Sequence, residues 1–194
     1  MIIGITGGTG CGKTTALKTI ESLGGMIIDC DKVYHALLLT DKNLLSTIEK
    51  RFPGTAKDGA LDRKTLAAIV FSDEQALLDL NTITHGAVKD KVLEILSSCP
   101  DLAAIDAIGL FEGGLDKLCD VTVAVTAPEN VRIARLMQRD NLTGQQAAMR
   151  INAQKEQVYF AEKCDYVLEN NGTQADFQKK CLAFFQNLLT IKNT

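Results

Sequence analysis

Residues 1–14 read MIIGITGGTGCGKT, and this stretch decides the fold. The apolar run Met1–Ile5 is typical of a buried strand, and it leads directly into a glycine-rich turn. Gly7–Thr14 matches the pattern GxxxxGK[ST] in full. A helical pattern follows over Lys13–Leu23 and ends on a pair of glycines, as helix C-caps often do. A chance glycine turn rarely has both a strand before it and a helix after it, so we interpret the motif as a phosphate-binding loop.

The residue types in this loop suit a nucleotide. Glycines let consecutive backbone N–H groups curl around phosphate oxygens without a Cβ clash, and the following helix N-terminus adds partial positive charge. Lys13 is expected to reach the β- and γ-phosphates, and the Thr14 hydroxyl is expected to ligate Mg²⁺. The predicted nucleotide-binding residues of the loop are Gly8, Thr9, Gly10, Cys11, Gly12, Lys13, Thr14 and Thr15.

Further apolar runs extend the pattern outward from the loop. They predict strands at Met26–Asp29, Leu102–Asp106, Val121–Val125 and Tyr166–Glu169. Apolar strands separated by helices favour a five-stranded parallel sheet covered on both faces, an α/β fold in three layers. The segment from about 34 to 100 breaks this alternation with helical patterns and a polar turn, Ala56–Gly59, and holds no convincing central strand. The sequence therefore predicts one domain, 1–194, with a core of about 1–33 and 101–194 and a helical insertion of about 34–100.

Three threonines mark candidate helix starts in the second half. Each stands three residues before a side chain that can complete a capping box or a near variant of one. The three segments are Thr126–Glu129, Thr143–Gln146 and Thr173–Asp176.

Composition excludes several classes of protein. The 21 basic residues against 24 acidic ones give a net charge of −3, which argues against a nucleic-acid binder that depends on bulk positive charge. No apolar run approaches the ~20 residues of a membrane span, and the first residues lack the charged and apolar regions of a secretory signal. The six cysteines form no CxxC pair or Cys/His cluster, so zinc and iron–sulfur sites lack their ligand spacing. We expect a soluble cytoplasmic protein with free thiols.

Aspartates end two of the predicted strands, where an open parallel sheet binds its ligands. Asp29 and Asp31 lie at such a strand end, and the carboxylate of one of them can accept the proton of an acceptor hydroxyl during phosphoryl transfer. Alternatively, Asp31 caps a helix that begins at Lys32, and position alone does not separate the two interpretations. Asp106 ends the third strand, as a carboxylate near Mg²⁺ would.

Arg132, Arg135 and Arg139 share one face of a predicted helix. Arginines over a γ-phosphate neutralise charge in the transition state, but a solvated basic face is the commoner meaning of such spacing. Asn141–Gly144 resembles a hinge, so about 135–160 is a candidate lid.

With these residues placed, the chain resembles the dephospho-CoA kinase family. The likeness covers nearly the whole chain, and the middle motif is far more specific than the phosphate loop. The family patterns GxTGGIGSGKS, DADxxAH, DGxLDRxxLxxxVF, RLxxRD, RIxxQ and ADyvIxNxG are matched by Gly4–Thr14, Asp29–His35, Asp58–Phe71, Arg135–Asp140, Arg150–Gln154 and Cys164–Gly172.

The resemblance implies phosphorylation of the ribose 3′-hydroxyl of dephospho-CoA by ATP, the last step of coenzyme A biosynthesis. It implies that Asp31 is the catalytic base and that Lys13 and Arg139 balance γ-phosphate charge. It adds Arg135, Arg139 and Asn171 to the ATP site, and it makes the insertion the CoA-binding part. The implied acceptor-binding residues are Asp31, His35, Arg63, His85 and Asp106. The implied Mg²⁺ ligand is Thr14, with Asp29 or Asp106 acting through water, and the expected assembly is a monomer or small homo-oligomer.

Two departures keep other functions open. The family has His-Pro where this chain has His85-Gly86, and DxPLLFE where this chain has Asp106–Glu112, with Ile108-Gly109 at its centre. Both segments border the acceptor pocket in the family. The alternatives are a kinase of another small nucleoside-like acceptor and a protein that binds CoA precursors without turnover. A GTP-binding switch is disfavoured because no NKxD guanine-reading motif occurs.

Overall fold

The structure is a computed structural model that describes residues 1–57, 59–98 and 101–192. Of these, 1–28, 101–110 and 116–192 form one compact unit, and 29–57, 59–98 and 111–115 form another. Asp58, which opens the most specific family motif and belongs to the predicted turn, lies outside the described residues, and so does Cys99.

Short strands and longer helices make up most of the described chain. The strands are β1 Ile2–Thr6, β2 Met26–Asp29, β3 Ala56–Lys57, β4 Ala60–Leu61, β5 Ala103–Asp106, β6 Val121–Thr126 and β7 Tyr166–Glu169. The helices are α1 Lys13–Ser22, α2 Cys30–Thr40, α3 Lys42–Arg51, α4 Arg63–Val70, α5 Glu74–Leu96, α6 Glu129–Asp140, α7 Gly144–Asn152, α8 Gln157–Lys163 and α9 Gln174–Lys192.

The first unit is built on a five-stranded parallel sheet in the order β2-β5-β1-β6-β7. All five strands predicted from apolar runs are confirmed, each within one residue of its predicted ends. Strand β1 is central, with Ile2 opposite Ala103 on one side and Ile3 opposite Val121 on the other. Helices lie on both sides of the sheet, which confirms the predicted three-layer α/β fold, and with the glycine loop after β1 this is the fold of a P-loop NTPase. This topology places the glycine loop at the carboxyl end of the central strand.

Helices α1 and α9 pack together beside the sheet. Ile20 of α1 and Phe185 of α9 are fully buried in one cluster with Ile3 and Ile5 of β1. Each side chain of this size stabilises the fold by about 1.5–3 kcal/mol when it leaves water. This cluster anchors the helix that follows the glycine loop.

Two of the three predicted helix starts are confirmed. Thr143 forms a complete capping box with Gln146, and the Thr173 hydroxyl accepts a hydrogen bond from the backbone N–H of Asp176. The remaining prediction, a helix start capped by Thr126, is wrong because Thr126 is the last residue of β6. Helix α6 instead begins after Pro128 without a side-chain cap.

Within its described residues, the second unit contains four helices and a hairpin. Helix α5 packs against α2, α3 and α4. Helix α5 is a single helix that continues through Gly86. Strands β3 and β4 form an antiparallel pair that the polarity pattern did not reveal, since two residues are too few to show an alternation. No helix in the described part of either unit is both long and apolar enough to span a membrane.

Candidate active site

The glycine loop has a backbone that only glycine adopts without strain. Gly7, Gly10 and Gly12 have φ values of 135°, 77° and 106°, in the left-handed region. A Cβ on Gly7 would lie 2.2 Å from the carbonyl oxygen of Val125, so the loop also packs too closely on β6 for a side chain. These positions account for the glycines of the motif.

Lys13 folds back over the loop. Its Nζ donates a hydrogen bond to the carbonyl oxygen of Gly7 at 2.7 Å. Thr14 is exposed in the first turn of α1, with Thr15 next to it. The ammonium and the two hydroxyls therefore lie at the loop and helix start where the motif predicts phosphate and Mg²⁺.

Two side chains from outside the motif hold the backbone of Thr9. Arg132 Nε donates to the Thr9 carbonyl oxygen at 2.8 Å, and the Thr9 N–H donates to Gln154 Oε1 at 2.7 Å. Arg132 is only 3% exposed, so the interpretation of its face as a solvated basic one is wrong for this residue. Helical spacing shows that arginines share a face but not what that face packs against.

A second pair of side chains holds the next carbonyls of the loop. Arg135 Nη1 lies 3.3 Å from the carbonyl oxygens of both Gly10 and Cys11. Its Nη2 donates to Asn170 Oδ1 at 2.9 Å, and Asn170 Nδ2 donates to the Cys11 carbonyl at 2.8 Å. Sequence reasoning missed Asn170, although its position just after β7 at the carboxyl edge of the sheet was a usable signal.

Arg139 lies at the exposed end of the same helix. Its guanidinium pairs with the neighbouring Asp140, which also accepts from Arg150. The hydrogen bonds from Arg139 hold the pKa of Asp140 below its ordinary value, and the charges of both arginines act in the same direction. Asn141 caps the C-terminus of α6 with a φ of 53°, and it is the first residue of the predicted hinge. Arg139 is thus the one member of the predicted arginine face that lies open to solvent.

Asp106 is the last residue of β5, in register with Ile5 of β1. It is half-buried at the same edge of the sheet as the glycine loop. In the described part of the chain, no three His, Cys, Asp or Glu side chains come together as a metal cage. The oxygen donors at this edge are the Thr14 hydroxyl and the Asp106 carboxylate, and oxygen donors completed by phosphate and water are what Mg²⁺ prefers.

In the second unit, Asp29 takes the capping role considered for Asp31. The Asp29 carboxylate accepts from the backbone N–H of Lys32 at 3.0 Å and pairs with the Lys32 ammonium at 3.1 Å. Helix α2 begins at Cys30, so the interpretation of Asp31 as the cap of a helix starting at Lys32 is wrong. Asp31 lies in the first turn with its side chain exposed.

A cavity of about 180 Å³ in the second unit brings two predicted acceptor residues together. His35 and Arg63 line it with Tyr34 and with apolar side chains, among them Leu66 and Phe71. Burial raises the pKa of Tyr34 above its ordinary value, and the charge of Arg63 opposes this shift. His85, half-buried on α5, is not among the lining residues, and neither is Asp31.

Two further residues of the predicted ATP site, Cys11 and Asn171, lie in opposite environments, one buried and one exposed. The Cys11 thiol is 1% exposed, and burial raises its pKa above the ordinary value, with opposing effects from Lys13 and Arg132. Burial therefore favours the protonated form of this thiol. Asn171 is exposed beyond β7, with its Nδ2 3.4 Å from Glu169 Oε2.

Comparison with known proteins points to one family. A family model described as dephospho-CoA kinase matches residues 1–176. A dephospho-CoA kinase of Syntrophotalea carbinolica is 32% identical over 195 residues, which cover 97% of this chain and 92% of that protein. A solved Thermus thermophilus protein superimposes with a TM-score of 0.78 at 31% identity, covering 97% of both chains. The solved dephospho-CoA kinase of Campylobacter jejuni gives a TM-score of 0.69 at 28% identity, covering 96% of both chains.

Proposed function

Because this chain belongs to the dephospho-CoA kinase family, we propose a residue-level account of the reaction that such an enzyme catalyses. The enzyme transfers a phosphoryl group from ATP to the ribose 3′-hydroxyl of dephospho-CoA, giving coenzyme A and ADP in the last step of coenzyme A biosynthesis. The observation that carries the proposal is the glycine loop at the carboxyl end of β1, built with three left-handed glycines and with Lys13 folded over it.

ATP binds at Gly8–Thr15 through backbone N–H groups of the loop other than that of Thr9, which donates to Gln154 Oε1. Those groups and the N-terminus of α1 supply the partial positive charge that the phosphates need. When ATP binds, the Lys13 ammonium gives up its hydrogen bond to the Gly7 carbonyl oxygen and donates to phosphate oxygens instead. Arg135 keeps the carbonyls of Gly10 and Cys11 turned away from the phosphates, and it acts at the ATP site chiefly in this way. The exposed Asn171 contributes to the adenine end of the site.

Phosphoryl transfer places developing negative charge on the γ-phosphate, and Lys13 and Arg139 balance it. Arg139 is suited to this role because its guanidinium is exposed and its present partner, Asp140, has Arg150 as a second partner. Asp140 therefore stays compensated when Arg139 moves to the phosphate. The segment of about 135–160 acts as the lid.

Asp31 takes the proton from the acceptor hydroxyl as it attacks in line. An exposed carboxylate that is not engaged in helix capping can accept this proton without breaking the fold. The acceptor is held by the insertion of about 34–100, where His35 and Arg63 share one cavity. His85 and Asp106 stay proposed acceptor contacts.

Mg²⁺, when bound, neutralises phosphate charge and orients the oxygens for in-line transfer. The Thr14 hydroxyl would ligate it directly, because Thr14 opens α1 and is exposed. Asp106 would act on it through water from the neighbouring strand, and Asp29 is the alternative carboxylate. Asp29 also caps α2, where its carboxylate accepts from the backbone N–H of Lys32.

A coupled ATP assay tests the proposal. With dephospho-CoA and Mg²⁺, ADP and coenzyme A should form in equal amounts, and chelation of Mg²⁺ should abolish turnover. Turnover with a simple nucleoside but none with dephospho-CoA would contradict the proposed acceptor. Light scattering would test the proposed monomer or small homo-oligomer, and cell fractionation would test the proposed cytoplasmic location.

A further inference from the structure

Arg132 is a buried cation packed directly on the phosphate loop. The residue is 3% exposed, and its Nε donates to the Thr9 carbonyl oxygen at 2.8 Å. Its Nη2 lies 2.5 Å from the position that a Cβ on Gly8 would occupy. The guanidinium therefore rests on the backbone of the loop itself, in space that the absence of a side chain at Gly8 leaves for it.

The residues around Arg132 compensate its charge only in part. Nη2 is buried and donates to no acceptor within the part of the chain that the structure describes. Arg132 takes part in none of the ion pairs between described residues. Burial lowers its pKa below the ordinary value, with Cys11 and Glu129 opposing the shift. A guanidinium stays protonated at neutral pH even so, and an unpaired buried charge destabilises the fold.

An anion in the loop would offset this cost. The phosphates of a nucleotide carry several negative charges, and their attraction to a cation across poorly hydrated backbone is screened much less than at an exposed surface. The position of Arg132 is thus unfavourable in isolation and favourable once phosphates are bound.

We propose that Arg132 is a positioning residue that also supplies buried positive charge to the phosphate loop, so that part of the nucleotide's binding energy comes from compensating this charge. The proposal rests on the proposed function in one respect only, namely that the loop binds a nucleotide. It concerns a residue outside the motif, which acts through the backbone of Gly8 and Thr9.

Two substitutions separate charge from hydrogen bonding. Arg132→Gln removes the charge and keeps an amide donor for the Thr9 carbonyl, and Arg132→Lys keeps the charge. Titration calorimetry of the full chain with ADP and with pyrophosphate should show about tenfold weaker binding for the Gln variant, and a loss below about threefold for the Lys variant. Without ligand, the Gln variant should melt no lower than the wild type, because an incompletely compensated buried charge has been removed. Lys179→Gln, which removes an exposed charge on α9, should change none of these values.

Equal weakening in both Arg132 variants would assign the effect to hydrogen-bond geometry and overturn the proposal. A lower melting temperature for Arg132→Gln, or an unchanged ADP affinity, would overturn it as well. A wild-type protein that binds ADP but does not phosphorylate dephospho-CoA would contradict the proposed function and leave this inference standing, because the calorimetry measures binding of ADP and pyrophosphate alone.

Discussion

Arg139 and Asp140, neighbours in sequence, form a two-pronged ion pair. Arg139 Nε donates to Oδ1 at 2.7 Å, and Nη2 donates to Oδ2 at 2.8 Å. Arg150 Nη1 donates to the same Oδ2 at 2.7 Å. One carboxylate thus holds two arginines, of which only Arg139 has a proposed role at the phosphate.

This shared carboxylate provides a matched pair of substitutions. Arg139→Gln should lower kcat about 100-fold, because it removes charge stabilisation in the transition state. Arg150→Gln breaks the other half of the same ion-pair group and should change kcat by less than about threefold, since exposed pairs contribute little. Steady-state kinetics with varied ATP measures both. Equal losses in the two variants would show that only the integrity of the ion-pair group matters.

Asp31→Asn should leave ATP binding within about twofold of the wild type while kcat falls by about 10²–10⁴-fold, because the amide cannot accept the acceptor's proton. Calorimetry with ATP and the coupled assay measure the two quantities separately. Asp90→Asn, an exposed carboxylate on α5 of the same unit, is the control and should retain full turnover. Undiminished kcat in Asp31→Asn would remove Asp31 from the role of base.

Two glycine substitutions should have opposite effects. Gly86 lies inside α5, and a Cβ there meets nothing within 4 Å, so Gly86→Ala should raise the free energy of unfolding. The expected gain is about 0.5–1 kcal/mol, the helix propensity difference between the two residues. At Gly12, with a φ of 106°, a Cβ would lie 2.2 Å from Asn170 Nδ2, so Gly12→Ala should destabilise the fold and abolish nucleotide binding. Urea unfolding curves measure the free energy of unfolding of both variants. A destabilised Gly86→Ala would show that helix propensity does not determine stability at that site.

Acid should destabilise the second unit partly through Asp62, which caps α4. Hydrogen bonds from the backbone and hydroxyl of Thr65, then from Lys57, lower the pKa of Asp62 to about 2. Because this lies below the unfolded value of about 4, the carboxylate stabilises the fold above pH 4 and loses that effect as the pH falls towards 2. Asp62→Asn keeps a good capping residue, so the urea midpoint should fall less steeply between pH 4 and pH 2 than in the wild type. Parallel declines for the two proteins would exclude Asp62 as a cause.

The strands and the phosphate loop could be predicted because their signals are local. A strand buried on both faces appears as an unbroken apolar run, as in Val121–Val125, and the loop has fixed residue types at fixed spacing. Arg135 and Arg139 were correctly placed on one helix for the same reason. The family motifs then supplied roles that spacing alone did not.

The supports of the loop could not be predicted, because they depend on contacts between distant parts of the chain. Arg132 and Thr9 are 123 residues apart, and Asn170 and Cys11 are 159 residues apart. A 3.6-residue period shows which side chains share a helix face, but the element that covers the face is a matter of tertiary packing. The helix cap at Asp29 was missed for a smaller reason, since it depends on a helix start two residues earlier than the pattern indicated.

The central place of β1 has a consequence for how this protein is made. Ile2–Ile5 pair with Ala103–Asp106, and Ile3–Thr6 pair with Val121–Ala124, so both neighbours of β1 come from more than 95 residues further along the chain. Contacts of such separation require the closure of long loops and slow the folding of the segments involved. During synthesis the glycine loop emerges before both strands that flank β1, so β1 has no partner strand until β5 has been translated. The glycine loop therefore reaches its final shape only after strands translated about 100 residues later have joined β1.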